Sequence, residues 1–114
     1  MKLLVIILNN VDALDDLMAR FAQEGIRGAT ILSSTGMARE LAYHDHEEEI
    51  GFLGSLRALL DPDRAENRTI LTVLRDEQVE LAIRLVQEEV GDLNQPDTGI
   101  LFTVPVDRLM GVGR

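Results

Sequence analysis

The sequence predicts an α+β domain in which two helices cover one face of a four-stranded antiparallel sheet, in the order βαββαβ. Three observations carry this prediction. Four short runs are rich in Val, Ile, Leu and Thr: Leu3–Leu8, Gly28–Ser34, Thr69–Leu74 and Gly99–Val106. Two segments of helical period lie between the first and second runs and between the third and fourth. A long stretch with no comparable pattern separates the second run from the third, and no internal repeat suggests a solenoid.

Leu3–Leu8 is closed by the turn-forming pair Asn9-Asn10 and reads as a strand that is apolar on both faces. Beyond it the period changes. Val11, Leu14, Leu17, Met18 and Phe21 recur at helical spacing, Asn10 is placed to cap, Asp12 falls in the first turn, and Gly25 suits the stop. Gly28–Ser34 is the second strand, and Thr35-Gly36 opens an irregular stretch to about Asn67. Within it, Ile50–Leu60 is apolar enough for a short helix ended by Asp61-Pro62. Thr69–Leu74 follows as the third strand. Asp76 is then expected to cap a helix that buries Val79, Ala82, Ile83, Val86 and Val90 and stops at Gly91. A polar loop over Asp92–Asp97 leads into Gly99–Val106, with Pro105 at its end or on a sheet edge. This order is the split βαβ, or ferredoxin-like, motif.

One sheet face is left without a helix. The first strand has no polar residue to set against water, so a neighbouring subunit is the economical cover. An oligomer organised on the first strand is expected, and Ile6→Asp should dissociate or unfold it.

Composition narrows the function. At 114 residues the chain has room for one core, and 1–114 is read as a single domain. The formal net charge of −9, without any Lys/Arg run, argues against nucleic acid and anionic membrane surfaces. The lack of Cys removes disulfides, thiolate zinc sites and cysteine nucleophiles. Leu3–Leu8 is too short for a signal-peptide core or a membrane span, so a cytoplasmic location and no membrane insertion are expected. No nucleophile elbow, phosphate loop or His-Glu-x-x-His motif is present, and an enzyme is not expected. Ser33, Ser34 and Asp76 are read as structural.

Three stretches resemble PII signal-transduction proteins, the trimeric regulators of nitrogen and related metabolism. Gly28-Ala29-Thr30-Ile31 through Thr35-Gly36-Met37-Ala38-Arg39-Glu40 is similar to the second strand and the start of the family's partner-contacting T-loop. Arg75-Asp76-Glu77-Gln78-Val79-Glu80 resembles the start of the second helix. Thr98–Asp107 is close to the last strand with its Pro-Val-acid ending. The resemblance covers nearly the whole domain apart from the long loop, about 37–68.

It implies a homotrimer whose inter-subunit clefts bind a small anionic effector, an adenine nucleotide being the family's ligand, with no cofactor firmly implied. The long loop would signal to a protein target such as a transporter or metabolic enzyme. Carried over by position, the ligand-binding residues are Thr30, Thr35, Gly36, Met37, Ala38, Arg39 and Glu40. Arg39 is the one expected to hold an anion, and its structural alternative is a salt bridge to Glu40 or Glu47. The sequence departs from the family where Ala38 replaces a Gly, Ile100 stands at an expected Lys, and Gly111 and Gly113 stand at expected Arg positions. Triphosphate binding should therefore be weak or absent.

A second reading is a CutA-like trimer that binds a divalent metal or serves structurally. His44 and His46, in the acidic cluster Tyr43–Glu49, would be its ligands, against a solvated acidic loop. The apolar segment Ile50–Leu60 would either engage a partner or fold back on its own trimer.

Overall fold

The computed structural model describes residues 1–42 and 66–111. Four strands form one antiparallel sheet in the order β2-β3-β1-β4. The strands are β1 (Lys2–Leu8), β2 (Thr30–Ser34), β3 (Asn67–Leu74) and β4 (Gly99–Pro105). The long helices are α1 (Leu14–Gln23) and α3 (Val79–Val90), and a short helix α2 (Met37–Ala42) follows β2. This is the expected ferredoxin-like order. His44, His46, the acidic cluster and Ile50–Leu60 lie outside the described residues.

Alternation along β1 explains the core. Leu4, Ile6 and Leu8 point to one face and are fully buried, meeting Ile70 and Leu74 of β3 and Leu17, Phe21, Leu85 and Val86 of the helices. Arg20 fastens the two helices together, its guanidinium donating to Glu89 at 2.7 Å and Glu88 at 2.8 Å.

Several expectations about the helices need correction. Both long helices begin with a 3₁₀ turn, Val11–Ala13 and Asp76–Gln78. Asn10 occupies the cap position of the first, but its side chain makes no capping hydrogen bond. Asp76 is no cap. It lies inside the second 3₁₀ turn and accepts a 2.9 Å hydrogen bond from the Met1 ammonium, while the start of the turn is closed by the Arg75 N–H donating to Gln78 Oε1. In α3 the fully buried residues are Ala82, Leu85 and Val86, and Ile83 is half-buried. Leu85 and Ile83 flank the same stripe on opposite sides, and only the flank with close neighbours is sealed. The stop signals hold: Gly25 has φ 90°, its N–H donates to the Ala22 carbonyl, and the Ile26 N–H reaches Phe21.

The other sheet face is apolar too. Leu3, Val5 and Ile7 of β1 share it with Leu71 and Val73 of β3 and with Ile100, Phe102 and Val104 of β4, as the paired registers require. Val73, Ile100, Phe102 and Val104 are 37–54% exposed. Ile6 points into the helix-covered core, so Ile6→Asp tests that core and not the open face.

Candidate functional site

The residues expected at one ligand cleft sit in two places. Thr30 opens β2 at one end of the sheet, whereas Gly36 and α2 follow β2 at the other. Four strand steps at about 3.3 Å each separate Thr30 from Ser34 by roughly 13 Å, so one chain does not bring the two sets together.

At Thr30, a cleft of about 740 Å³ runs between the segment 25–30 and β3. It is lined by apolar side chains such as Leu3, Leu71 and Leu109, and by Arg27, Arg75 and Gln78. Arg75 is engaged with Glu77 at 2.8 Å, both side chains being largely exposed. At the edge of the cleft, the Met1 ammonium holds the Asp76 carboxyl below its ordinary value, by its hydrogen bond first and its charge second. Glu77 is also lowered, mainly by a hydrogen bond from its own backbone and then by that from Arg75.

At the other end, the chain leaves β2 and returns to β3 through a polar knot. Ser34 Oγ hydrogen-bonds to Asn67 Oδ1 and lies 2.7 Å from Thr69 Oγ1. Asn67, which is buried, donates from Nδ2 to Asn9 Oδ1 at 3.2 Å. The N–H groups of Asn9 and Asn10 both donate to the Thr98 carbonyl. The ends of β1 and β2 and the starts of β3 and β4 are thus tied by groups that would otherwise be buried unsatisfied.

Beside this knot stands α2. Glu40 N–H donates to the Gly36 carbonyl at 2.9 Å, which closes its first turn. Thr35 and Glu40 are exposed, Gly36 and Ala38 half-buried, and Met37 is 78% exposed. Arg39 is buried. Its Nη2 donates to both carboxylate oxygens of Asp97, at 3.1 and 3.2 Å, and each side chain is only 9% exposed. Among the described residues, Arg39 thus has a salt-bridge partner in Asp97 of the loop before β4, and Glu47 lies outside the described residues. Asp97 has φ 56°, a left-handed conformation that Asp and Asn tolerate better than most residues.

Sequence reasoning missed Asp97 because 58 positions separate it from Arg39, and a loop carboxylate gives no periodic signal. It also missed the Asn9, Ser34 and Asn67 knot, whose members lie on β2, on β3 and just after β1. Ile100 projects onto the open apolar face, which it shares through Ile7 with Thr69 of the polar knot. Among the described residues no group of His, Cys, Asp and Glu is arranged to hold a metal. No described helix is long and apolar enough to cross a membrane.

The family model for nitrogen regulatory protein P-II matches residues 1–113 of the chain. No curated protein matches it.

Proposed function

We propose, from the premise that this chain belongs to the nitrogen regulatory protein P-II family, that it acts as a homotrimeric regulator without catalytic activity. A small anionic effector binds in the clefts between subunits, and the long loop between β2 and β3 carries the signal to a protein partner. The observation that supports this most is the division of the expected ligand contacts between the two ends of β2. A neighbour seated on the open apolar face would supply one set while the first chain supplies the other. Each ligand would then report on subunit contacts and on the base of the long loop together.

Among the described residues, Arg27 and Arg75 at the Thr30 cleft and, at the loop base, Arg39 in its pair with Asp97 are cations that such an effector would meet. With Ile100 exposed on the apolar face and Gly111 in the tail, they suit a nucleotide carrying few charges better than a triphosphate. Light scattering should give about three times 12.7 kDa. A thermal-shift screen should show stabilisation by an adenine nucleotide and none by zinc. A soluble monomer that no nucleotide stabilises would overturn the reading, and stabilisation by zinc alone would favour the metal-binding alternative.

A further inference from the structure

In a chain with 20 Asp and Glu, most arginines find an acid. Arg20, Arg39, Arg68, Arg75 and Arg84 each pair with a carboxylate. Arg27 differs: it is exposed, lines the Thr30 cleft, and has no ion-pair partner among the described residues. A guanidinium left unpaired at a concave surface is open to an anion from outside.

The backbone is anchored on both sides of Arg27. Ile26 is 4% exposed, belongs to the core and donates its N–H to the Phe21 carbonyl at 2.8 Å. The Gly28 carbonyl accepts from the Thr72 hydroxyl, and Thr72 is only 2% exposed. Gly28 precedes β2, so this bond ties an irregular stretch of chain to β3. Arg27 thus stands on a short arch fixed at both feet, and a cation on a fixed backbone gives up less freedom on meeting a ligand than one on a mobile loop. The rest of the lining sets the kind of ligand. Leu3, Leu71, Val73 and Leu109 form an apolar wall, and the other guanidinium, that of Arg75, is engaged with Glu77. One unpaired cation beside an apolar wall matches one anionic group carried on an apolar or aromatic body.

We infer that Arg27 is the specificity-determining residue of this cleft, where it holds the anionic group of the effector, and that Thr72 is a positioning residue that keeps Arg27 in place through Gly28. The inference rests on the effector-binding reading above and adds to it which residue reads the ligand's charge.

Calorimetry with AMP and with adenosine, which lacks the anion, would be run on wild type, Arg27→Ala, Arg84→Ala, Thr72→Val and Thr72→Ser, with melting temperature and light-scattering mass recorded for each. Arg27→Ala should weaken AMP binding by about tenfold or more, the loss expected for one charged hydrogen bond, and leave adenosine affinity, melting temperature and mass unchanged. Arg84→Ala removes the same charge from α3, outside the cleft, and should bind AMP as wild type does. Thr72→Val should lower both melting temperature and AMP affinity, and Thr72→Ser, which keeps the hydroxyl, should retain AMP affinity. Unchanged AMP affinity in Arg27→Ala, an equal loss in Arg84→Ala, or an equal loss for adenosine would overturn the role of Arg27 alone. A Thr72→Val protein that loses stability but not AMP affinity would overturn the positioning role. A wild-type protein that binds neither compound would overturn the effector-binding reading along with this inference.

Discussion

Substituting Gly99 by Ala should be far more damaging than its position at the start of an edge strand suggests. Gly99 has φ 154°, a backbone conformation that side chains rarely adopt. A Cβ built there lies 2.6 Å from the Ile7 carbonyl oxygen, in the central strand β1. That oxygen belongs to backbone paired on both sides and has no flexible end to yield. Strain of about 1–3 kcal/mol for the backbone conformation, with a similar cost for overpacking, gives roughly 2–6 kcal/mol in all. At about 4 °C per kcal/mol for a domain of this size, the melting temperature should fall by roughly 8–24 °C. Gly25→Ala is the matched control. Its φ is 90° but nothing lies within 4 Å of the added carbon, so only the left-handed penalty of about 1–2 kcal/mol applies. Thermal denaturation followed by circular dichroism would measure both. If Gly99→Ala melted within about 2 °C of wild type, or no lower than Gly25→Ala, the close approach of β4 to β1 would be wrong.

Two further outcomes test other parts of the molecule. Phe102→Asp places a charge on the open sheet face, where the native ring is 42% exposed. It should forfeit about 1 kcal/mol of further apolar burial and add a larger desolvation cost in each subunit contact. Light scattering should then give a 12.7 kDa particle with an unchanged far-ultraviolet spectrum, and retention of the proposed trimer's mass would exclude this face as the contact. Asp76→Asn should flatten the acid limb of the stability profile. The folded-state carboxyl is depressed below its ordinary 3.8 by the Met1 ammonium, so its contribution is present above that value and disappears as pH falls through the depressed one. Urea melts at pH 2–5 would check this, and acid limbs of equal slope in the two proteins would remove the Met1 pair from the account.

Much of the fold was legible because each element carries its own local signal. Lys2–Leu8 advertises a strand by β-branched content and a turn pair, and α1 advertises its stop through Gly25. The open apolar face was legible in β1 as a run without polar interruptions. Which side chains occupy each face was not, because the run is apolar throughout and only pairing with Ile70 and Leu101 puts Ile6 on the helix side. The 3₁₀ starts were equally hidden: a single tight turn shares its capping residues with an ordinary helix end, and tertiary contacts decide which forms. In the candidate site, the loop base could be located by its Thr-Gly turn, but the state of Arg39 could not. It pairs with Asp97, and ion-pair partners 58 positions apart on separate elements leave no trace in spacing.

The central position of β1 bears on how the chain is made. β1 leaves the ribosome well before either strand it pairs with, since Lys2–Leu8 pairs with Asn67–Leu74 and with Gly99–Pro105. At a synthesis rate of about 5–20 residues per second, roughly 5–20 s pass before its last partner exists. Until β3 is made a segment apolar on both faces has no sheet to join, and until β4 is made its other edge stays open, so it fits the description of a chaperone-binding or aggregation-prone nascent segment. Closure must await β4, so ribosome-stalled chains ending before Gly99 should be protease-sensitive in Lys2–Leu8, and chains with Pro105 clear of the exit tunnel should be protected there.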